Sequence, residues 1–124
     1  MIFQFIIYAI IANGLYDIAS AASIFKMINY SALNRLSIFT GSQSPVFERV
    51  LGYYILINGL VRVFGGMNLY QLAVAKIVVG SYFAEAAFLA NELFNHKSVD
   101  KTKGEYIIGF CLVMGSLASY NYFF

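Results

Sequence analysis

The chain has no tryptophan, one cysteine (Cys111), one proline (Pro45) and one histidine (His96). A single cysteine excludes an internal disulfide framework and a cysteine-based metal site. A single histidine excludes a two-histidine haem or a histidine-rich metal site within the chain. Charge is scarce as well, at 11% of residues, where an average soluble domain has roughly 25%. The net charge of +2 is too small to point to a nucleic-acid partner. Nothing resembles a nucleophile with its base, and no pair of carboxylates has a defined catalytic spacing, so catalysis and a bound cofactor are not expected.

What is abundant is apolar surface, with 60% hydrophobic residues and a mean hydropathy of +0.72 in 124 residues. A soluble chain of this length forms one modest core, which cannot hide so much apolar surface. The apolar residues fall in four runs: Ile2–Phe25, Val50–Gly66, Leu69–Phe94 and Tyr106–Phe124. About 20 apolar residues cross the hydrocarbon core as a helix, which satisfies every backbone polar group internally. The expected architecture is an all-α membrane protein, a single integral domain over residues 1–124. It has four antiparallel transmembrane helices in up-down order, at about 2–26, 45–64, 69–94 and 105–122.

The first run begins at Met1 without a basic stretch. Although Ala19-Ser20-Ala21-Ala22 superficially resembles a signal-peptidase site, the run exceeds a signal's apolar length, so a retained helix is expected. In the more polar segment 27–48, Leu33, Leu36, Ile38 and Phe39 share one side of a short helix. That pattern suits an amphipathic stretch at headgroup level and equally a loop helix covering the bundle. Ser44-Pro45 followed by Glu48 reads as a helix start, with serine at the cap, proline at the first position and an acid in the first turn. Gly65-Gly66-Met67-Asn68 reads as a tight turn, and 95–104 as a polar loop.

The basic residues gather in two loops, Lys26, Arg35 and Arg49 around the first and Lys97, Lys101 and Lys103 in the third. The positive-inside rule places both loops in the cytoplasm, or in the matrix or stroma of an organelle. Lys26, Arg35, Lys97, Lys101 and Lys103 are candidates for gripping lipid headgroups, cardiolipin among them. Inside the apolar runs stand Asp17, Arg62, Lys76 and Glu85. A charge at the bilayer centre costs at least about 2.5–3.5 kcal/mol and needs a partner. Arg62 and Lys76 lie within two turns of the helix two–three turn, close enough to snorkel to its interface, whereas Glu85 has no interface in easy reach. Glu85 reads as a proton or cation site, as a contact to a partner helix, or as an ion-paired or neutral group that fixes packing.

The block Arg49-Val-Leu-Gly52-Tyr-Tyr54-Ile-Leu-Ile-Asn-Gly-Leu-Val-Arg62 resembles the second helix of the ergosterol-biosynthesis protein 28 family. Leu69-Tyr70 and Gly80-Ser-Tyr82-Phe83-Ala-Glu85 are similar to that family's third helix. The resemblance spans Arg49 to Glu85. Departures are the absence of the family's tryptophan, a shorter turn between helices two and three, no polar tail, and Ser81 where the family commonly has histidine. The resemblance implies a non-catalytic scaffold that tethers sterol-synthesis enzymes in the endoplasmic reticulum, with Arg49, Gly52, Arg62, Tyr82 and Glu85 as matching positions. With Asp17 they form the candidate interaction and packing set. The expected partners are other integral membrane proteins and membrane lipids, sterol among them. The alternative is an accessory subunit of a respiratory complex or ATP synthase in the mitochondrial inner membrane. A small transporter or sterol-modifying enzyme would need a polar cavity around Glu85, Asp17 and Asn58.

Overall fold

The computed structural model describes residues 2–25, 44–97 and 99–123. Among them the chain forms four α-helices: α1 (Ile2–Ile24), α2 (Pro45–Met67), α3 (Leu72–Ala90) and α4 (Lys101–Phe123). Lys26 and Arg35, with most of the amphipathic segment, lie outside the described residues. Helices α1, α2 and the α3 segment Leu72–Asn95 are each long and apolar enough to cross a membrane. The outer surface is apolar too, with Phe5, Tyr8, Ile57, Phe64 and Ile77 all more than half exposed. A surface of this kind is the one a bilayer covers. The protein is therefore an integral membrane protein. Helix α4 has the length, but Lys101, Lys103 and Glu105 in its first turns set it apart from the three apolar spans.

The start of α2 is as its residues dictate. Ser44 has extended backbone and its Oγ accepts from the Phe47 N–H at 3.1 Å, with Pro45 at the first helical position. The other end differs from the expectation. Gly65 and Gly66 remain helical, and the turn falls at Asn68–Gln71, where Asn68 Nδ2 donates to the Phe64 carbonyl at 3.0 Å. Packing explains why two glycines stay in a helix. A Cβ on Gly65 would lie 2.3 Å from the Val78 side chain, and one on Gly66 2.8 Å from Ile11. The glycines are needed for close approach by neighbouring helices rather than for a turn.

The same device runs the length of α2. Gly52, Gly59 and Gly66 recur every seven residues, and all three face α1. Gly52 meets Phe25 and Ile24, Gly59 meets Gly14 and Ile18, and Gly66 meets Ile11 and Ile10, so α1 and α2 run antiparallel in close contact. Helix α3 pairs in the same way with α4, where Gly115 meets Phe83 and Gly104 meets Leu93. Contacts of α2 with α3 and of α1 with α4 close the ring.

The interior is layered. One apolar cluster holds Ile6, Ile10, Leu69, Val78, Met114 and Ala118 at the end of the α2–α3 turn. A second holds Ala21, Ile24, Leu51, Ile55, Leu89 and Leu93 towards the opposite end. Between them lies a polar layer of buried Asp17, Asn58, Arg62 and Glu85.

After Ala90 the third helix widens into a π-helical turn, Asn91–Asn95, in which the His96 N–H reaches the Asn91 carbonyl at 3.3 Å. Lys97 then adopts a left-handed backbone, φ 53°, a conformation that costs a non-glycine residue roughly 1–2 kcal/mol. Asp100 caps α4, accepting the Lys103 N–H at 3.0 Å, so that helix begins four residues before the expected Glu105.

Candidate functional site

Arg62 is the centre of the polar layer. Its Nη1 donates to Asp17 Oδ2 on α1 at 2.5 Å, and its Nη2 to Glu85 Oε1 on α3 at 3.0 Å. Its Nε donates to Ser81 Oγ and its Nη2 to the Ser81 carbonyl, both at 3.3 Å. The guanidinium also lies over the Tyr82 ring, 3.9 Å from the centroid. The planar fork of arginine is what allows one cation to serve two carboxylates and a backbone carbonyl together.

Glu85 gathers two more donors, one from α2 and one from α4. Asn58 Nδ2 donates to Oε1 at 3.4 Å, and the Cys111 thiol of α4 donates to Oε2 at 3.2 Å. Tyr82 in turn donates its hydroxyl to Asn13 Oδ1 on α1 at 2.6 Å. All four helices thus contribute a side chain to one hydrogen-bonded layer. Asp17 and Arg62 are 0% exposed and Glu85 2%.

Arg62 does not take the snorkelling route to the nearer interface and is buried instead. Side chains on a helix lean towards its N-terminus. For Arg62 that direction leads away from the adjacent end of α2 and into the bundle, where Asp17 and Glu85 sit. Lys76 lies early in α3, where the same lean points towards the interface, and it is exposed as expected.

The remaining sequence candidates lie elsewhere. Arg49 is exposed on the first turns of α2, and Gly52 is buried against Phe25 as a packing position. Thirteen residues separate Arg49 from Arg62, which is about 20 Å along a helix. Lys97, Lys101 and Lys103 are exposed where α3 ends and α4 begins. Conversely, sequence reasoning missed Asn13, Ser81 and Cys111 as members of the layer. Ser81 stands four residues before Glu85 and shares a helical face with it, which was the one readable signal.

The hydrogen bonds of the layer are directed inward, while the buried Ser20 Oγ has no hydrogen-bond partner among the described residues. The guanidinium faces two carboxylates, and Glu85 receives three donors from α2 and α4. Such an arrangement holds helices in one register. Among the described residues no group of three His, Cys, Asp or Glu side chains is placed to hold a metal ion.

These features define a small helical membrane protein whose bundle is pinned by an internal ionic layer. The chain belongs to the Erg28-like protein family, whose model matches residues 6–118 and so takes in every member of the layer. No curated protein and no solved structure matches the chain.

Proposed function

We propose that the protein is a non-catalytic scaffold in the membrane of the endoplasmic reticulum, which binds other integral membrane proteins of sterol biosynthesis through its lipid-facing helix surfaces. The observation that carries this reading is the inward closure of its polar chemistry. Arg62, Asn58, Glu85 and Tyr82 are spent on one another, while the outer faces present apolar side chains. Family membership supplies the link to sterol biosynthesis. Asp17, Arg62 and Glu85 then act on a partner indirectly, by fixing the relative positions of the helices that carry the surface.

In this reading α4 is the fourth span. Its 23 residues reach about 34 Å, and its Cys111, Met114 and Ala118 share a core with α1 and α3. The ends bearing Arg49, Lys97, Lys101 and Lys103 face the cytoplasm. A tag at either terminus is expected to be protease-protected in sealed vesicles whose cytoplasmic face is outward, and cleavage there reverses the topology.

The function is tested by purifying the tagged protein in mild detergent and identifying its companions by mass spectrometry. Sterol-synthesis enzymes at a reproducible ratio are the expected result. Respiratory or ATP-synthase subunits at fixed stoichiometry would replace the reading with that of an accessory subunit.

A further inference from the structure

At the junction of α3 and α4 the surface carries a cleft of about 260 Å³, lined by Leu93, Phe94, Lys97, Val99 and Lys101. Its walls combine two chemistries. Leu93 and Val99 are buried and apolar, and Phe94 is 64% exposed beside them. Lys97 and Lys101 add two exposed cations, and no carboxylate lines the cleft. Two acids adjoin lining residues along the chain, Glu92 beside Leu93 and Asp100 beside Lys101, and Asp100 has its Oδ1 on the Lys103 N–H at the start of α4.

The backbone is shaped to hold this arrangement. The π-helical turn ends the third apolar span at Asn95, and the left-handed Lys97 reverses the chain two residues later. Helix α4 then starts at Lys101, and Gly104 lies so close to Val99 and Leu93 that a Cβ would be 2.8 Å and 3.4 Å from their side chains. The cleft therefore stands at the end of the third apolar span, with apolar walls beside a cationic rim.

We propose that this cleft binds one anionic phospholipid, its phosphate held by Lys97 and Lys101 and its glycerol and upper acyl carbons against Leu93, Phe94 and Val99. Charge complementarity selects an anion, and the apolar walls select an amphiphile over a free ion. The cleft takes the phosphate and glycerol, with the chains continuing along exposed Phe94. The third lysine, Lys103, does not line the cleft. The proposal stands apart from the scaffold reading, since it needs no protein partner.

The test is native mass spectrometry of the detergent-purified full chain, titrated with phosphatidylglycerol or phosphatidylcholine of matched acyl chains. Phosphatidylglycerol is expected to add one molecule preferentially. The double variant Lys97→Asn/Lys101→Gln, in which asparagine still tolerates the left-handed backbone, is expected to bind it about thirtyfold more weakly. Lys103→Gln is expected to bind as the parent does, and Lys97→Arg/Lys101→Arg to retain binding. Equal uptake of the two lipids by the unaltered protein overturns the proposal. So does a loss on Lys103→Gln as large as that of the double variant, which would mean a diffuse basic surface.

Discussion

Replacing Arg62 with methionine is expected to destabilise the folded bundle by about 3–5 kcal/mol, because it strands two buried carboxylates. The cation now answers Asp17 at 2.5 Å and Glu85 at 3.0 Å, and both acids are almost wholly buried. Removing it deletes both ion pairs, the contacts to Ser81 and the stacking on Tyr82 in a single step. Adding Asp17→Asn and Glu85→Gln to Arg62→Met is expected to restore most of the loss, since a buried ionic group replaced as a whole by neutral groups is often close to neutral. Denaturant titration of the purified protein in micelles measures both. Parent-like stability of the single variant would mean that the three charges are not coupled in the folded protein.

The second large effect is expected where α1 and α2 touch. Gly59→Ala places a methyl group 2.8 Å from the Gly14 carbonyl oxygen and 3.0 Å from the Ile18 amide. Backbone atoms cannot swing aside as a side-chain tip can, so the helices must separate, at a cost of about 2–3 kcal/mol. Gly80→Ala is the internal comparison. Nothing among the described residues lies within 4 Å of a Cβ built there, so alanine is expected to stabilise α3 by about 0.5–1 kcal/mol. The same titration reads both. Opposite signs at the two glycines support tight packing at the α1–α2 seam. A parent-like Gly59→Ala would remove that seam as a stabilising contact.

Much of the architecture was legible in the residues. The four helices follow from the lengths of the apolar runs, and the start of α2 from Ser44, Pro45 and Glu48. Read from spacing, the family resemblance reached only from Arg49 to Glu85, whereas the family match extends over residues 6–118. The Gly65–Gly66 turn was misread because glycine serves both turns and close helix contacts. Only the position of Val78 and Ile11 shows which of the two applies. The seven-residue repeat of Gly52, Gly59 and Gly66 was present in the sequence and went unread, since a glycine repeat does not name the helix it faces.

The sequence by itself determined that this protein is helical and belongs in a bilayer, because those properties depend on the length and apolarity of local segments. It also showed that Asp17 and Glu85 needed partners, because an isolated charge in hydrocarbon is too costly to leave alone. Which partners they take was decided by the tertiary structure. Arg62 meets an acid 45 residues away and another 23 residues away, and local spacing carries no information on such pairs. The lean of its side chain towards the N-terminus of α2 is a local property, but what it meets there belongs to the assembled bundle. The ionic layer is thus a product of helix packing, in which charges that are unfavourable singly become stable once four helices bring them together.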